Sequence, residues 1–346
     1  MVEDGRPPLA GFGPDQRDKA QGNGTGPEMA DPAIRLQGLT RRFRENVAVD
    51  ELTLDVEAGE LFGIVGPDGA GKTTTLRMLA GVLRPSGGEG IVHGVNVAAD
   101  PEGVKPFVAY MSQQFGLYTD LTVRENIEFY ADLYRVPKSE RPARLERLFA
   151  FSNLGPFQDR LAGNLSGGMK QKLGLCCALI HHPRILLLDE PTFGVDPISR
   201  RDLWLILHEM VEEGVTVVVS TSYLDEAERC DRVALLHRGK VLALDTPEAL
   251  LELLPGGVIS IGGPEPRKAR DLIREMDGVA STALFGNVVH AVLENGEEGR
   301  EKVMTALDRA GLSSEKVELV DSSLEDVFLH LVREEDSEAA TEVSRV

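Results

Sequence analysis

The chain has 346 residues, of which 42% are hydrophobic and 27% are charged, an ordinary composition for a globular protein. Its 56 acidic and 37 basic residues give a formal net charge of −19, which repels phosphate backbones, so we do not expect nucleic acid as a partner. No stretch approaches the roughly 18 consecutive apolar residues of a transmembrane helix, and the first residues lack the pattern of a signal peptide. We therefore expect a protein that does not cross a bilayer. Its length favours two domains over one.

Residues 1–32 are rich in Gly, Pro, Asp and Glu and poor in large apolar side chains, which predicts a disordered N-terminal segment. Order is expected from residue 33, where strand-rich sequence extends to residue 56. A short apolar strand at 61–65 then leads into a glycine-rich loop and a helix at 73–83. Strand-like segments follow at 90–97 and 107–111.

The pattern becomes helical from Asn126 to about residue 180, where Leu145, Leu148 and Phe149 recur at helical spacing. Short apolar runs at 185–188 and 215–220 suit buried parallel strands, and an amphipathic helix at 203–211 lies between them. Strands that alternate with helices predict an α/β core with a parallel sheet.

Glycine and proline clusters at 255–257 and 262–264 mark the start of a second region. Its order of strands and helices resembles a small split βαβ, ferredoxin-like α+β domain. We therefore predict a first domain at 33–255, a C-terminal accessory domain at 256–334 and a solvated acidic tail at 335–346. The predicted strands are 258–261, 279–284, 288–293 and 316–320, and the predicted helices are 266–276, 300–310 and 323–332.

Three cysteines occur in the chain, and their spacing is not that of a metal site. Cys176 and Cys177 are neighbours in an apolar run, and Cys230 stands alone. Buried reduced thiols behave as small hydrophobic side chains, so we expect core positions in a reducing cytosol.

Residues 66–73 match G-x-x-x-x-G-K-[ST] at every fixed position and lie between a predicted strand and a predicted helix. Glycines let backbone N–H groups converge on a phosphate, and the helix N-terminus adds a positive dipole end. Lys72 offers a cation to the β- and γ-phosphates, and Thr73 offers a hydroxyl ligand to Mg²⁺. A glycine-rich turn without a ligand is the alternative, and the strand–helix context disfavours it. The expected ATP-binding residues of this loop are Gly66, Pro67, Asp68, Gly69, Ala70, Gly71, Lys72, Thr73 and Thr74.

An apolar strand ends in two carboxylates, Asp189 and Glu190, in the manner of a Walker B sequence. Asp189 is expected to hold Mg²⁺ through water, and Glu190 to orient or deprotonate the attacking water. A plain strand followed by a solvated acidic turn is the alternative. It loses weight because the same chain supplies a phosphate loop that needs a metal partner.

Residues 165–171, Leu-Ser-Gly-Gly-Met-Lys-Gln, lie between the phosphate loop and the acidic strand and resemble the signature motif of ABC ATPases. The resemblance covers about residues 33–250 and implies the P-loop NTPase fold of an ABC cassette. That fold has a parallel-sheet core, an antiparallel β subdomain and a helical subdomain at about 115–180. In this family, Ser166, Gly167 and Gly168 face the γ-phosphate bound to the opposite subunit.

The resemblance also assigns roles to three residues outside the two phosphate motifs. Phe43 matches the aromatic residue that stacks on adenine, and Asp196 matches the residue that spans the dimer interface. Gln113 matches the glutamine that senses Mg²⁺ and faces the membrane subunit, although Gln114 beside it leaves the register open by one residue. The cofactors implied are ATP and Mg²⁺, and Thr73, Gln113 and Asp189 are the expected metal-site residues.

One position departs from the family pattern, because Ser222 stands where ABC ATPases normally place a histidine near the γ-phosphate. A serine hydroxyl is shorter and carries no positive charge. Two interpretations remain open at this point. A bridging water fills the gap in a working ATPase, or the site hydrolyses ATP slowly as a regulatory cassette. The presence of Lys72, Asp189 and Glu190 favours retained activity.

The resemblance implies a head-to-tail homo- or heterodimer that binds two ATP molecules at its interface. A single cassette with a C-terminal domain looks like the ATP-binding subunit of ABC-2-type drug-resistance exporters, which pairs with a separate transmembrane permease. We therefore expect a cytoplasmic protein attached peripherally to the inner face of the membrane. A non-transport ABC ATPase of translation or DNA repair is the alternative, and the acidic charge and single cassette disfavour it.

Overall fold

The computed structural model of the protein describes residues 31–113, 116–312 and 316–343, and the side chains of these residues up to 337. The predicted disorder of residues 1–30, and Gln114, lie outside the described residues. The described chain divides into two compact units. The first comprises the residues up to Tyr223 together with Arg229–Val241, and the second comprises Leu224–Glu228 and the residues from Leu242 onward.

Helices and strands follow one another along the whole described chain. Up to residue 237 they are β1 (Ile34–Phe43), β2 (Asn46–Val56), β3 (Leu61–Val65), α1 (Lys72–Leu79), β4 (Gly87–Val92), β5 (Val95–Asn96), α2 (Pro101–Val104), β6 (Val108–Met111), α3 (Val123–Leu133), α4 (Arg141–Ser152), α5 (Gly167–Leu179), β7 (Ile185–Asp189), α6 (Pro197–Glu212), β8 (Thr216–Thr221), α7 (Leu224–Ala227) and β9 (Arg232–His237). The remainder are β10 (Lys240–Asp245), α8 (Pro247–Leu251), β11 (Val258–Gly262), α9 (Pro266–Ile273), β12 (Val279–Phe285), β13 (Val288–Leu293), α10 (Gly296–Arg309), β14 (Val317–Val320) and α11 (Leu324–Val343).

The central sheet has six strands in the order β10-β9-β3-β8-β7-β6, and β9, β3, β8, β7 and β6 pair in parallel. Every residue of β3, β7 and β8 is buried, which explains their continuous apolar sequences, because a parallel strand covered on both faces needs no polar alternation. The carboxyl ends of these three strands meet at one edge of the sheet. That edge carries the phosphate loop, Asp189 and Ser220.

A separate antiparallel sheet has the order β2-β1-β4-β5. Its close pairing requires glycine at residue 88, where φ is +73° and a Cβ atom would lie 2.0 Å from the carbonyl oxygen of Gly38. Helices α3, α4 and α5 pack on one another in the helical region that the sequence predicted. The parallel core, the antiparallel sheet and the helical region together confirm the expected fold class.

The second unit contains the ferredoxin-like order β-α-β-β-α-β from β11 to β14, in an antiparallel sheet of order β12-β13-β11-β14. One face of the sheet and helices α9 and α10 share a hydrophobic core that includes Ile259, Ile273, Val289 and Leu307. The pattern of apolar residues located each of these elements within a few residues of its observed position.

Two boundaries in the second unit differ from the sequence prediction. The division between the units falls within β10, before the predicted boundary at 255, because α7 and α8 pack against α11. Helix α11 continues to Val343, through most of the segment predicted as a solvated tail. Glu and Ala have high helix propensity and are frequent there, which accounts for the continuation.

None of the helices within the described ranges combines the length and the apolar character needed to span a membrane.

The loop before α3 is held by one buried side chain, Asn126, which has 0% exposure. Its Oδ1 accepts a hydrogen bond from the Tyr118 backbone N–H at 2.9 Å. Its Nδ2 lies 3.0 Å from the carbonyl oxygen of Tyr118, 3.3 Å from that of Leu121 and 2.9 Å from that of Thr122. Glu125 and Thr122 cap the helix reciprocally. Residues 122–126, Thr-Val-Arg-Glu-Asn, therefore begin α3 and also fix the preceding loop by hydrogen bonds.

Replacing Asn126 with Asp should lower the free energy of unfolding by about 3 kcal/mol, because the carboxylate faces three carbonyl oxygens that lose their donor. Urea unfolding followed by circular dichroism measures this change. Asn287→Asp, at an exposed position in the turn between β12 and β13, is the matched control and should change stability little. Equal stability of Asn126→Asp and the control would show that the amide donors are dispensable.

Candidate functional site

The phosphate loop joins β3 to α1 and fits tightly against the rest of the first unit. A Cβ atom at residue 66 would lie 2.2 Å from the carbonyl oxygen of Leu236, and one at residue 71 would lie 2.6 Å from that of Ala48. Gly71 also has φ of +105°, a backbone conformation that strongly favours glycine. Both fixed glycines of the sequence motif are therefore required by the packing of this loop.

A cavity of about 710 Å³ opens beside this loop. Seven of its fifteen lining residues come from the phosphate loop and the start of α1, and the other eight come from four further segments of the first unit. The lining residues are Phe43, Asn46, Val47, Ala48, Asp68, Gly69, Ala70, Gly71, Lys72, Thr73, Thr74, Gln113, Glu190, Phe193 and Arg238. The predicted residues Phe43, Gln113 and Glu190, far apart in sequence, thus share one cavity with the loop.

The side chain of Lys72 is only 4% exposed, and oxygen atoms surround its ammonium group. It donates to the carbonyl oxygen of Gly66 at 2.7 Å and to that of Pro67 at 3.1 Å. It also donates to Ser222 Oγ at 2.9 Å and pairs with Glu190 Oε1 at 3.1 Å. Ser222 Oγ in turn donates to Glu190 Oε1 at 2.8 Å. Lys72, Ser222 and Glu190 therefore form a closed triangle of polar contacts.

Asp189 is buried at the end of β7 and accepts three side-chain hydrogen bonds. Its Oδ1 accepts from Thr73 Oγ1 at 2.9 Å and from Ser220 Oγ at 2.8 Å, and its Oδ2 accepts from Tyr110 OH at 3.1 Å. Burial raises the pKa of Tyr110 to about 12, so its phenol stays protonated and remains a donor at neutral pH. The carboxylate is thus held in one orientation beside the Thr73 hydroxyl.

Glu190 follows Asp189 with φ of +47°, a left-handed conformation that is uncommon for a residue with a side chain. Its backbone N–H donates to the carbonyl oxygen and to Oγ of Ser220, at 3.0 and 3.1 Å. Gln113 Nε2 donates to Glu190 Oε2 at 3.2 Å. These contacts hold the strained turn and aim the Glu190 side chain at the cavity.

The donor set fits the cofactors that the sequence implies. Mg²⁺ prefers oxygen ligands, and the Thr73 hydroxyl and the Asp189 carboxylate present two of them 2.9 Å apart. The backbone of residues 69–74 and the N-terminus of α1 border the cavity, as an anion site at a helix start requires. Gln113 contacts Glu190 in this arrangement, so its predicted role as a metal-site residue stays a prediction.

Phe43 lines the cavity and is 43% exposed, with the guanidinium of Arg41 centred 4.4 Å from its ring centroid. An aromatic ring at the edge of a nucleotide-sized cavity offers a stacking surface for a base. The Arg41 cation covers one face of the ring, so the geometry suits stacking on the opposite face.

Ser166, Gly167, Gly168 and Asp196 form a second group that does not line the cavity. Ser166 caps α5, and its Oγ accepts a hydrogen bond from the Met169 N–H. A Cβ atom at residue 168 would lie 2.2 Å from Ser199 Oγ, so glycine is required there. Asp196 caps α6 through the N–H groups of Ile198 and Ser199, and the hydrogen bonds from Ser199 lower the pKa of its carboxyl. The signature and Asp196 segments therefore pack directly against each other.

Several site residues have no signature that sequence reasoning could use. Tyr110 and Ser220 reach Asp189 only because β6 and β8 flank β7 in this register. Arg238 and Phe193 line the cavity from turns, with φ of +47° at Arg238 and +85° at Gly239 marking a tight turn. The single available hint was the position of Tyr110 and Ser220 near strand ends, at the edge that carries the phosphate loop.

Comparison with known proteins places the chain among ABC ATPases. The family description of ABC transporters matches residues 49–193. The chain is 46% identical over 270 residues to the "Probable multidrug ABC transporter ATP-binding protein YbhF" of Escherichia coli (strain K12), a match covering 77% of this chain and 47% of that protein. This chain therefore spans about half the length of that relative. A daunorubicin resistance ATP-binding protein of Streptomyces coeruleorubidus is 34% identical, over 89% of this chain and 98% of its own.

Solved structures agree with the fold. The structure of an ATP-binding subunit of an ABC transporter matches with a TM-score of 0.58 and 29% identity, covering 64% of this chain and 92% of that chain. The dimeric structure of a bacterial ABC transporter cassette matches with a TM-score of 0.56 and 28% identity, covering 62% of this chain and 98% of that chain. These matches confirm the fold and the family that the motifs predicted. The chain belongs to the family of ABC transporter ATP-binding proteins.

Proposed function

We propose that this protein binds and hydrolyses ATP and thereby powers an ABC-type exporter. The observation that carries the proposal is the cluster of Lys72, Asp189 and Glu190 at the carboxyl edge of three adjacent buried strands. Thr73 and Ser222 join the same cluster by hydrogen bonds. Relatives named for multidrug and drug-resistance ATP-binding proteins support the export role.

The chain's own residues account for each part of nucleotide binding. The backbone N–H groups of the phosphate loop and the N-terminus of α1 receive the phosphates, and Lys72 supplies the cation nearest to them. Phe43 offers its ring to the base. This concentration of donors offsets the net charge of −19, which otherwise opposes the approach of a polyanion.

Thr73 and Asp189 would hold Mg²⁺, which when bound neutralises charge on the phosphate oxygens. Glu190 would accept a proton from the attacking water, because its carboxylate faces the cavity and Ser222 and Gln113 fix its two oxygens. Tyr110 and Ser220 keep Asp189 oriented. A change at Tyr110 or Ser220 thus acts on the reaction through Asp189.

A dimer completes the site in this proposal. Ser166, Gly167, Gly168 and Asp196 carry the family's signature positions and do not line their own chain's cavity. A neighbouring copy or a related cassette would present this group to the γ-phosphate, which supports a head-to-tail arrangement. The similar solved cassette described as dimeric supports the same assembly.

Replacing Glu190 with Gln should reduce steady-state phosphate release by about a hundredfold or more, because the general base is lost while the side-chain shape is kept. The variant should then accumulate an ATP-bound dimer, measured by size-exclusion chromatography with Mg-ATP and, as a control, with Mg-ADP. Glu212→Gln, which removes an exposed carboxylate at the end of α6, is the matched control and should behave as the unmodified protein. Monomeric elution of Glu190→Gln in saturating Mg-ATP contradicts the proposal.

Ser222 contacts both Lys72 and Glu190, and these contacts favour a working ATPase over a regulatory cassette. The hydroxyl accepts from the ammonium and donates to the carboxylate, so it can fix Glu190 without a positive charge. We propose that Ser222 orients the general base Glu190. A short side chain can perform this part of the role that the family usually gives to histidine.

Ser222→Ala should lower kcat by about tenfold while leaving the Kd for ATP nearly unchanged, because one hydrogen bond to a charged group is lost. Ser222→Thr, which keeps the hydroxyl, should restore turnover, and Ser222→His should match or exceed the unmodified protein. Steady-state phosphate release and equilibrium ATP binding separate the two quantities. Full activity of Ser222→Ala refutes the orienting role. If neither the unmodified protein nor any Ser222 variant releases phosphate, the result supports the regulatory interpretation.

The transport role requires a separate transmembrane permease, and we propose peripheral attachment to it at the inner face of the cell membrane. The first unit would form the motor, and the ferredoxin-like region from β11 to α11 would form an accessory domain. Affinity purification from detergent-solubilised membranes should recover a permease in stoichiometric amount with the tagged chain. Recovery of ribosomes or DNA in its place supports the alternative of a non-transport ABC ATPase.

A further inference from the structure

The second unit contains a groove that the ATPase proposal does not use. Helices α9 and α11 both pack against β12, and a cavity of about 300 Å³ is lined by Arg270, Arg274, Thr282 and Arg333. We call this cavity the arginine groove. Its four lining residues come from three elements separated in sequence, so the fold itself brings them together.

Every polar side chain that lines the arginine groove is a hydrogen-bond donor. Each guanidinium carries five N–H groups and a permanent positive charge, and the Thr282 hydroxyl adds a further donor. Among the described residues, no carboxylate lines the cavity. This concentration of positive charge is unusual in a chain whose net charge is −19.

The arrangement slightly opposes the local stability of the unit, because solvent partly screens the repulsion between Arg270, 34% exposed, and Arg274, 54% exposed. Arg270 and Arg274 are four residues apart within one helical turn, since the Arg274 N–H donates to the carbonyl oxygen of Arg270 at 3.0 Å. Like charges at this spacing repel each other on a helix surface. Arg333 approaches the same place from α11, where its Nη2 donates to the carbonyl oxygen of Arg274 at 3.4 Å. A third cation is thus added to a pair that already repels.

The acidic neighbours provide little compensation. Asp271 pairs with Arg270 at 2.6 Å but is 57% exposed, and Glu275 lies 3.9 Å from Arg274 and is 80% exposed. Solvent screens ion pairs at such exposures. Capping of the α9 carboxyl end explains the single contact of Arg333 with a carbonyl oxygen. It does not explain why three guanidinium groups line one cavity.

We propose that the arginine groove binds a phosphate-bearing anion. Guanidinium groups match phosphate oxygens in geometry and charge, and groups from separate elements suit a tetrahedral anion that is approached from several sides. The cavity volume lies at the lower end of the range for small-molecule sites, which fits a phosphate ester. The same chemistry occurs on a soluble phosphorylated compound and on the headgroup of an anionic lipid, and the experiment distinguishes them.

The test uses the full chain and two probes. Isothermal titration with inorganic pyrophosphate at low ionic strength measures binding of a soluble phosphate compound. Flotation with phosphatidylcholine vesicles, with and without phosphatidylglycerol, measures binding of a lipid headgroup. The double variant Arg274→Gln, Arg333→Gln removes two lining cations. Arg267→Gln is the matched control, because it removes an exposed cation of the same helix that does not line the arginine groove.

We expect the double variant to lose affinity for one probe by about tenfold or more. Arg267→Gln should bind both probes as the unmodified protein does. Pyrophosphate bound at the ATP cavity is the same in all three proteins, so only the difference among them reports on the groove. Sensitivity of the pyrophosphate isotherm identifies a soluble ligand, and sensitivity of vesicle binding alone identifies a lipid headgroup. Equal binding by all three proteins in both assays overturns the proposal, provided that circular dichroism shows the double variant folded.

Discussion

The buried ammonium of Lys72 is the interaction on which the rest of the site depends. A cation with 4% exposure is costly unless oxygen atoms surround it, and the chain supplies four, two of them backbone carbonyl oxygens of its own loop. These contacts determine the course of the phosphate loop. They also bring Ser222 and Glu190, which come from different strand ends, to one point. Glycine at residues 66 and 71 is needed because the loop passes so close to neighbouring backbone.

The parallel sheet brings the polar and charged side chains of the site together. Strands β3, β7 and β8 are adjacent and fully buried, so their carboxyl ends leave the apolar core at the same edge. Polar side chains that would be costly inside the sheet can lie there within hydrogen-bonding distance. The strained backbone of Glu190 follows from the same geometry, because the chain must turn sharply at the end of β7 while its N–H remains bonded to Ser220.

The positions of the motif residues in the fold could be predicted from the sequence, because each motif is defined by residue spacing at a junction between a strand, a loop and a helix. Lys72 and Thr73 lie at a loop–helix junction, and Asp189 ends an apolar strand, as the patterns required. Tyr110 and Ser220 could not be predicted, because their contacts with Asp189 depend on which strands are neighbours and in what register. The arginine groove could not be predicted from the sequence for the same reason, because its residues come together only when α9, β12 and α11 pack.

The affinity of the full chain for Mg-ATP, measured with and without the Lys72 ammonium, tests the central role of Lys72 most directly. Equilibrium binding of a fluorescent ATP analogue in Mg²⁺, together with steady-state phosphate release, should be measured for the unmodified protein and for Lys72→Ala. We expect saturable binding by the unmodified protein, at least about tenfold weaker binding by Lys72→Ala, and no phosphate release by that variant. Undiminished nucleotide binding and turnover by a folded Lys72→Ala protein would contradict the account.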